Sequence, residues 1–154
     1  HGLKGAAICE AEIVRGIAKG LYLTAPKISG ATADIDTDIA AKTTATLNML
    51  KEHDFVLTHF NGADEAAHRY DYHGKAEFIS AIDKEFLEKV INNIQEPLRI
   101  VICGDHVTSS VTGKHNKNAV PVVAAQINTA AIPVTINNYQ DILTFLMRAS
   151  DMRG

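Results

Sequence analysis

Short apolar segments that alternate with amphipathic ones constrain the fold of this chain more than any other feature of its sequence. The apolar segments are rich in strand-forming side chains and lie at residues 55–60, 98–103 and 120–127. The amphipathic segments repeat apolar side chains at helical spacing and lie at residues 6–19, 34–51, 75–91 and 139–148. Strands that are apolar along their whole length are typical of parallel sheets covered by helices. The pattern therefore predicts an α/β fold with a mostly parallel sheet flanked by helices.

The charge and hydropathy of the chain argue against two classes of partner. The formal net charge is −3 and no basic cluster stands out, so we expect no nucleic-acid-binding face. The longest apolar runs are strand-sized, so we expect no membrane insertion. Cys9 and Cys103 lie far apart in apolar surroundings, which predicts buried, reduced thiols. The first residues lack the basic and then apolar pattern of a secretory signal, and we expect a cytoplasmic protein.

The chain has 154 residues, which suits one domain, and no linker divides it. It begins with His1-Gly2 rather than Met and ends abruptly at Arg153-Gly154. We therefore expect residues 1–154 to be part of a longer protein.

A first group of polar residues begins at the end of the segment 55–60. His59 lies in that segment, and Asp64 and His68 follow it four residues apart. A helical turn would place Asp64 and His68 on one face, where a carboxylate and an imidazole can hold one divalent cation. The alternative interpretation is a solvated helix start with an acidic first turn.

A second group follows the segment 98–103. Gly104, Asp105 and His106 come directly after it, and Lys114 and His115 lie further along the chain. In a loop just past a strand, adjacent side chains such as those of Asp105 and His106 can serve two neighbouring metal ions. The alternative interpretation is an ordinary polar loop at a strand end.

The two groups together indicate a metal site more strongly than either does alone. Both follow predicted strands, and open α/β sheets hold their ligands at the carboxyl ends of strands. A mixed set of carboxylates and imidazoles suits Zn²⁺ or Mn²⁺ better than Ca²⁺, which prefers oxygen ligands.

Several longer motifs occur in order along nearly the whole chain. They are G-A-T-A-D-I-D-T at residues 30–37, G-A-D-E-A-A-H at 62–68, C-G-D-H at 103–106, and K-H at 114–115 followed by A-V-P-V at 119–122. They resemble motifs of the archaeal-type cofactor-independent phosphoglycerate mutases, which are members of the alkaline phosphatase superfamily. Residues 13–18 also resemble the helix that precedes the first motif in that family. The resemblance implies a partial alkaline-phosphatase-like domain, corresponding to the C-terminal, metal-binding part.

The resemblance implies two divalent metal ions, with Mn²⁺ expected first and Zn²⁺, Mg²⁺ or Co²⁺ as alternatives. By the matched motifs, Asp64, His68 and His115 would bind one ion, and Asp105 and His106 would help to bind the other. The family interconverts 2-phosphoglycerate and 3-phosphoglycerate, a step of glycolysis, through a phosphoserine intermediate.

Arg15 falls where the family places a basic residue that binds the substrate phosphate, and a structural arginine is an equal alternative there. The family's nucleophilic serine and an aspartate of the second metal site lie in its N-terminal part, which no segment here matches. The catalytic nucleophile is therefore unknown. The serines of this chain stand in other contexts: Ser29, Ser80, Ser109, Ser110 and Ser150.

The chain also departs from the family's motifs at residues 107–110, at Asn116 and at 118–119, which bears on substrate specificity more than on metal binding. Three functions stay open: a phosphoglycerate mutase in the intact parent protein, a metal-dependent phosphatase or other phosphotransferase, or a catalytically inactive metal-binding fragment. The expected partners are a small phosphorylated substrate and the missing N-terminal part of the parent chain. An incomplete sheet exposes a strand edge, so self-association is also expected.

Overall fold

The computed structural model describes residues 2–130 and 133–147, and the chain forms two compact units. The first unit comprises residues 2–93 and 108–114, and the second comprises residues 94–107, 115–130 and 133–147. The first contains β1 (Gly5–Ile8), α1 (Glu12–Gly20), α2 (Ile39–Leu50), β2 (Phe55–Thr58), α3 (Gly62–His68), α4 (Tyr72–Ala81), a π-helical segment (Ile82–Leu87) and α5 (Glu88–Asn93). The second contains β3 (Leu98–Cys103), β6 (Val122–Ile127) and α6 (Tyr139–Met147). The short strands β4 (Val107–Ser109) and β5 (Lys114–Asn116) pair around a turn that belongs to the first unit.

β1 and β2 form a parallel pair in the first unit. Their register runs from Gly5 opposite Phe55 to Ile8 opposite Thr58. Thr24 bridges the other side of β1, so β1 is a central strand, and its residues are buried. Helices α1 and α2 contact it. This arrangement of a parallel pair flanked by helices agrees with the predicted α/β class.

The prediction of a helix over residues 6–19 is wrong in its first half. Residues 5–8 form β1, and α1 begins only at Glu12. The small apolar side chains of β1 suit a buried strand as well as a helix face, and no glycine or proline marks the break before α1. Neighbours on both edges of β1 pair with its backbone, and this tertiary context overrides the helical preference of alanine.

The helix predicted over residues 34–51 begins later than predicted, because α2 starts only at Ile39. The side chain of Asp38 caps α2 by accepting a hydrogen bond from the backbone N–H of Ala41 at 2.8 Å. Residues before Asp38 form a tight loop, in which Thr37 Oγ1 accepts a hydrogen bond from the backbone N–H of Thr32 at 2.9 Å. The helix starts late because the loop residues satisfy one another instead of continuing the helix.

The helix predicted over residues 75–91 is longer than expected and contains an irregularity. α4, the π-helical segment and α5 follow one another from Tyr72 to Asn93. Phe78 and Val90, from the predicted apolar stripe, are buried. The carbonyl of Glu85, inside the π-helical segment, accepts a hydrogen bond from the hydroxyl of Thr43 at 3.1 Å. Among the helices in residues 2–130 and 133–147, none is long and apolar enough to cross a membrane.

β3 and β6 form an antiparallel pair in the second unit, with Leu98 opposite Ile127 and Cys103 opposite Val122. This pair is a local departure from the mostly parallel arrangement expected. A parallel connection needs a crossover of a dozen or more residues, usually a helix. The segment between β3 and β6 instead contains the strands β4 and β5, which allow a simple antiparallel return. Arg148, at the end of the helix predicted over 139–148, lies outside the described residues.

The two cysteines differ in exposure. Cys9 is fully buried, as predicted, and burial raises the pKa of its thiol, with the charge of Glu10 adding to the effect. Cys103 is exposed, so the prediction that it is buried is wrong. It ends β3, whose last two residues are the exposed ones in that strand.

Candidate metal centre

Helix α3 places Asp64 and His68 one turn apart on the same face. Asp64 Oδ1 and His68 Nε2 lie 3.5 Å apart. The helix follows β2 and starts after Asn61, whose side-chain amide donates to the carbonyl of Ala33 at 3.1 Å and to the carboxylate of Glu65 at 3.0 Å. Both candidate ligands therefore sit on a short helix that follows the carboxyl end of a parallel strand.

The loop of residues 30–37 holds both ends of α3. Backbone atoms of Asp34 and Ile35 approach Gly62 so closely that an added Cβ would lie 2.7 Å from them, so a larger residue does not fit. Beyond the last turn of α3, the Arg69 guanidinium donates to both carboxylate oxygens of Asp34, at 2.6 and 2.7 Å. These hydrogen bonds lower the pKa of the Asp34 carboxyl. The loop motif thus has a structural task, which is to fix the helix that carries Asp64 and His68.

A backbone carbonyl fixes the orientation of the His68 ring. His68 Nδ1 lies 2.8 Å from the carbonyl oxygen of Gly113. A carbonyl oxygen only accepts, so Nδ1 carries the proton, and in the neutral ring Nε2 then has the lone pair. Gly113 has φ of +62°, and an added Cβ would lie 3.1 Å from the Tyr70 ring, so this turn favours glycine. Histidines that bind metals commonly donate their other N–H in this way.

The hydroxyl of Thr108 holds the carboxylate of Asp64. Thr108 Oγ1 donates to Asp64 Oδ1 at 2.5 Å, and Thr108 is 4% exposed. The backbone carbonyl of Thr108 in turn accepts a hydrogen bond from Lys75 Nζ at 2.8 Å. Thr108 lies in the segment where the chain departs from the family motif, and it orients one of the predicted ligands.

The second unit brings Asp105, His106 and His115 together. His106 Nδ1 lies 3.1 Å from Asp105 Oδ1, an oxygen that accepts a hydrogen bond from the backbone N–H of His106 at 3.0 Å. His106 Nε2 lies 3.1 Å from His115 Nε2, and the ring centroids are 4.0 Å apart. The backbone beside these residues is held by Tyr139 of α6, whose hydroxyl donates to the carbonyls of Gly104 at 3.1 Å and Asp105 at 2.8 Å.

These donor atoms fit a divalent cation. Two ligand atoms bound to one ion at 2.0–2.2 Å lie about 3.0–3.5 Å from each other at angles of roughly 90–110°. The separation of Asp64 Oδ1 from His68 Nε2 is 3.5 Å, which fits two ligands of one ion. Carboxylates and imidazoles, the donor types of Asp64, His68, Asp105, His106 and His115, suit Zn²⁺ or Mn²⁺.

Arg15, the expected phosphate-binding residue, makes structural contacts. Its guanidinium donates to the carbonyls of Cys9 at 3.3 Å and Ala25 at 3.0 Å, and the side chain is partly buried. These bonds use two of the five N–H donors of the group. They give Arg15 a structural role and leave its binding of phosphate a prediction.

The sequence interpretation missed the residues that hold the ligands. Thr108 and Tyr139 carried no recognisable signal, because a threonine after a strand and a tyrosine at a helix start are common. Gly113 stands in the polar segment before Lys114, and its contact with His68 depends on the folded chain.

Comparisons with known proteins agree with the resemblance seen in the sequence. Residues 1–142 match the model of the Metalloenzyme superfamily. The chain is 34% identical over 136 residues to the 2,3-bisphosphoglycerate-independent phosphoglycerate mutase of Methanopyrus kandleri, and 39% identical over 124 residues to that of Methanococcus vannielii. These alignments cover 87% and 80% of this chain but only 32% and 30% of the two relatives. The chain therefore spans about a third of the length of the curated relatives it matches.

A solved structure supports the fold. The PH0037 protein from Pyrococcus horikoshii matches with a TM-score of 0.76 and 30% identity, over 80% of this chain and 37% of that one. Together with the parallel strand pair and its helices, this match confirms the predicted α/β fold of the alkaline-phosphatase-like class.

Proposed function

Since the chain belongs to the Metalloenzyme superfamily, we propose that it is the metal-binding part of an enzyme that transfers phosphoryl groups. One observation carries this proposal, namely the shared orientation of His68 and His106. In each ring Nδ1 lies near an oxygen, the Gly113 carbonyl at 2.8 Å for His68 and the Asp105 carboxylate at 3.1 Å for His106, and Nε2 faces a second side chain of a type that binds metals. Packing alone gives no reason for two histidines to be held in this same way.

We propose that Asp64, His68 and His115 hold one divalent ion and that Asp105 and His106 help to hold a second. The covalent chain supports the first set, because His115 follows by two residues the glycine whose carbonyl orients His68. Mn²⁺ is the first choice of metal, with Zn²⁺, Mg²⁺ and Co²⁺ as alternatives.

Bound divalent ions would polarise a phosphoryl group and activate the oxygen that attacks it. The residues of this chain keep the ligand atoms in place. The hydroxyl of Thr108 donates a hydrogen bond to the Asp64 carboxylate, and the carbonyl of Gly113 accepts one from His68 Nδ1. Arg15 would bind the phosphate with the N–H donors that do not contact the carbonyls of Cys9 and Ala25.

The reaction that we propose for the intact parent is the interconversion of 2-phosphoglycerate and 3-phosphoglycerate in the cytoplasm. The two relatives from Methanopyrus kandleri and Methanococcus vannielii are named as phosphoglycerate mutases, which supports this substrate. The phosphoryl group would pass through a serine that lies outside this chain. A phosphatase or another phosphotransferase is the second candidate, favoured by the departures from the family motif at residues 107–110.

Apolar side chains on α1 support the expected association with further polypeptide. Ile13 and Ile17 of this helix and Leu21, which directly follows it, are 75%, 58% and 65% exposed. Sedimentation velocity of the chain measures whether it associates with itself, and a monomer at every concentration tested would contradict self-association.

A graft tests the proposed reaction. The 136-residue segment of the Methanopyrus kandleri relative that aligns with this chain is replaced by the corresponding segment of this chain. We expect the purified, folded chimera to interconvert phosphoglycerates when Mn²⁺ is present, and the same chimera with Asp105→Ala to lose that activity. A folded chimera that hydrolyses phosphate esters but does not interconvert phosphoglycerates would favour the phosphatase. Full activity of the Asp105→Ala chimera would contradict the metal-centred mechanism.

A further inference from the structure

A buried lysine lies in the first unit outside the candidate metal ligands. Lys42 of α2 is 1% exposed and is among the largest fully buried side chains of the described residues. Its Nζ donates to Glu10 Oε2 and, at 2.6 Å, to the backbone carbonyl of His59. It also lies 4.5 Å from the centre of the Phe60 ring. Lysine is rarely buried without such partners.

The partners of Lys42 come from the ends of two parallel strands. Glu10 lies two residues after the end of β1, and His59 directly follows β2. Because the strands are parallel, both partners are at the carboxyl edge, where α/β sheets hold their ligands. The ammonium group of Lys42 therefore joins the two strand ends from α2.

The chain that leaves this junction leads directly to the candidate ligands. His59 is followed by Phe60, whose ring packs edge-on against Phe78 and Phe86 at centroid distances of 6.3 and 5.1 Å. Asn61 then directly precedes α3, which carries Asp64 and His68. A shift of the His59 carbonyl would be passed along two residues to the first turn of this helix.

We infer that Lys42 and Glu10 are positioning residues of the metal centre, which fix the path of the chain from β2 into α3 and so the location of Asp64 and His68. This role rests on the proposed function, in which the orientation of Asp64 and His68 serves to bind a metal ion.

The cost of the buried pair supports a positioning role. Burial lowers the pKa of Lys42, and the hydrogen bond and charge of Glu10 only oppose that effect. Within the described residues, Glu10 Oε1 is buried without a hydrogen-bond partner. Replacing a buried ion pair with apolar side chains is often neutral or stabilising. A contribution to folding stability alone is therefore a weak explanation for the presence of this pair. The pair instead fixes the position of the backbone, because Lys42 donates to the carbonyl of His59, at the start of the segment that leads to α3.

The test compares two variants of the 154-residue chain with a control on the same helix. Lys42→Met removes the charge, and the double variant Glu10→Gln/Lys42→Met avoids leaving an unpaired buried carboxylate. The control is Thr43→Val, because Thr43 is buried and donates to the carbonyls of Ile39 and Glu85, away from the strand ends. For each folded protein, titration calorimetry gives the Kd for Mn²⁺, and NMR spectra without metal give the amide shifts of residues 61–69.

We expect the Kd for Mn²⁺ to rise about 10-fold or more in the Lys42 variants, as when groups that orient metal ligands are removed. The changes in amide chemical shift should concentrate in residues 61–69. Thr43→Val should lower the melting temperature, while its Kd for Mn²⁺ stays within about twofold of the wild type.

If Lys42→Met does not fold, the double variant decides the test. A folded Lys42 variant with unchanged Kd and unchanged shifts in residues 61–69 would overturn the inference, as would an equal loss of affinity in Thr43→Val. If the wild type itself bound no Mn²⁺, the proposed function would fail, and the shifts alone would decide whether the pair positions α3.

Discussion

Replacing Thr108 with valine removes one hydroxyl and keeps the shape of the side chain. The lost hydrogen bond runs from Thr108 Oγ1 to the Asp64 carboxylate, whose side chain is 25% exposed. Hydrogen bonds to charged groups contribute about 1.5–3 kcal/mol when buried, and partial exposure brings the expected loss to about 1–2 kcal/mol. For a chain of this length that corresponds to a melting temperature lower by roughly 2–8 °C. Since the hydroxyl also orients a proposed ligand, the Kd for Mn²⁺ should rise by about 10-fold or more.

Thermal unfolding and Mn²⁺ titration calorimetry measure the two effects of Thr108→Val. Thr44→Val is the matched control, because Thr44 is exposed and its hydroxyl donates to the carbonyl of Ala40 within α2, at 3.0 Å. The control should leave the Kd unchanged. A Thr108→Val chain that is folded and binds Mn²⁺ as tightly as the wild type would refute the assignment of Thr108 as a residue that orients Asp64.

Three further predictions follow from charge, exposure and the missing nucleophile. The Arg69 hydrogen bonds lower the pKa of Asp34, so their stabilisation is present above the ordinary aspartate pKa and is lost as pH falls through the lowered value. Urea midpoints between about pH 5 and 2 should therefore fall more steeply for the wild type than for Asp34→Asn, and equal slopes would contradict this. Of the two thiols, a disulfide reagent such as DTNB should modify the exposed Cys103 in the folded chain and the buried Cys9 only on unfolding; modification of both at one rate would show that the packing around Cys9 opens readily. The 154-residue chain alone should not interconvert phosphoglycerates with Mn²⁺ present, because it lacks a matching nucleophilic serine; turnover that resists further purification would show that the nucleophile lies within it.

Local signals in the sequence were enough to predict most elements of the first unit. β2, the end of α2 and the apolar stripe through Phe78 and Val90 all follow from side-chain periodicity. β1 was missed because its partners, β2 and Thr24, are distant in sequence, and pairing with them decides its conformation. The start of α2 was missed because Asp34, Asp36 and Asp38 are each able to cap a helix, and the loop contacts select Asp38.

The candidate ligands could be predicted from the sequence, whereas the residues that hold them in place could not. Asp64 and His68 stand at a spacing that a helix converts into proximity, and Asp105 and His106 adjoin a strand end. Thr108, Gly113 and Lys42 act through contacts with residues 17 to 45 positions away, and no short pattern reports such contacts. The sequence therefore indicates which side chains can bind a metal ion, and the folded chain shows how they are oriented.

The most direct test of the account is the position of a bound metal ion. Crystals of the 154-residue chain soaked in millimolar Mn²⁺ are measured on both sides of the manganese absorption edge. We predict an anomalous peak within about 2.0–2.3 Å of ligand atoms from Asp64, His68 and His115. The absence of such a peak at these three side chains, or a peak only at other residues, would contradict the metal centre.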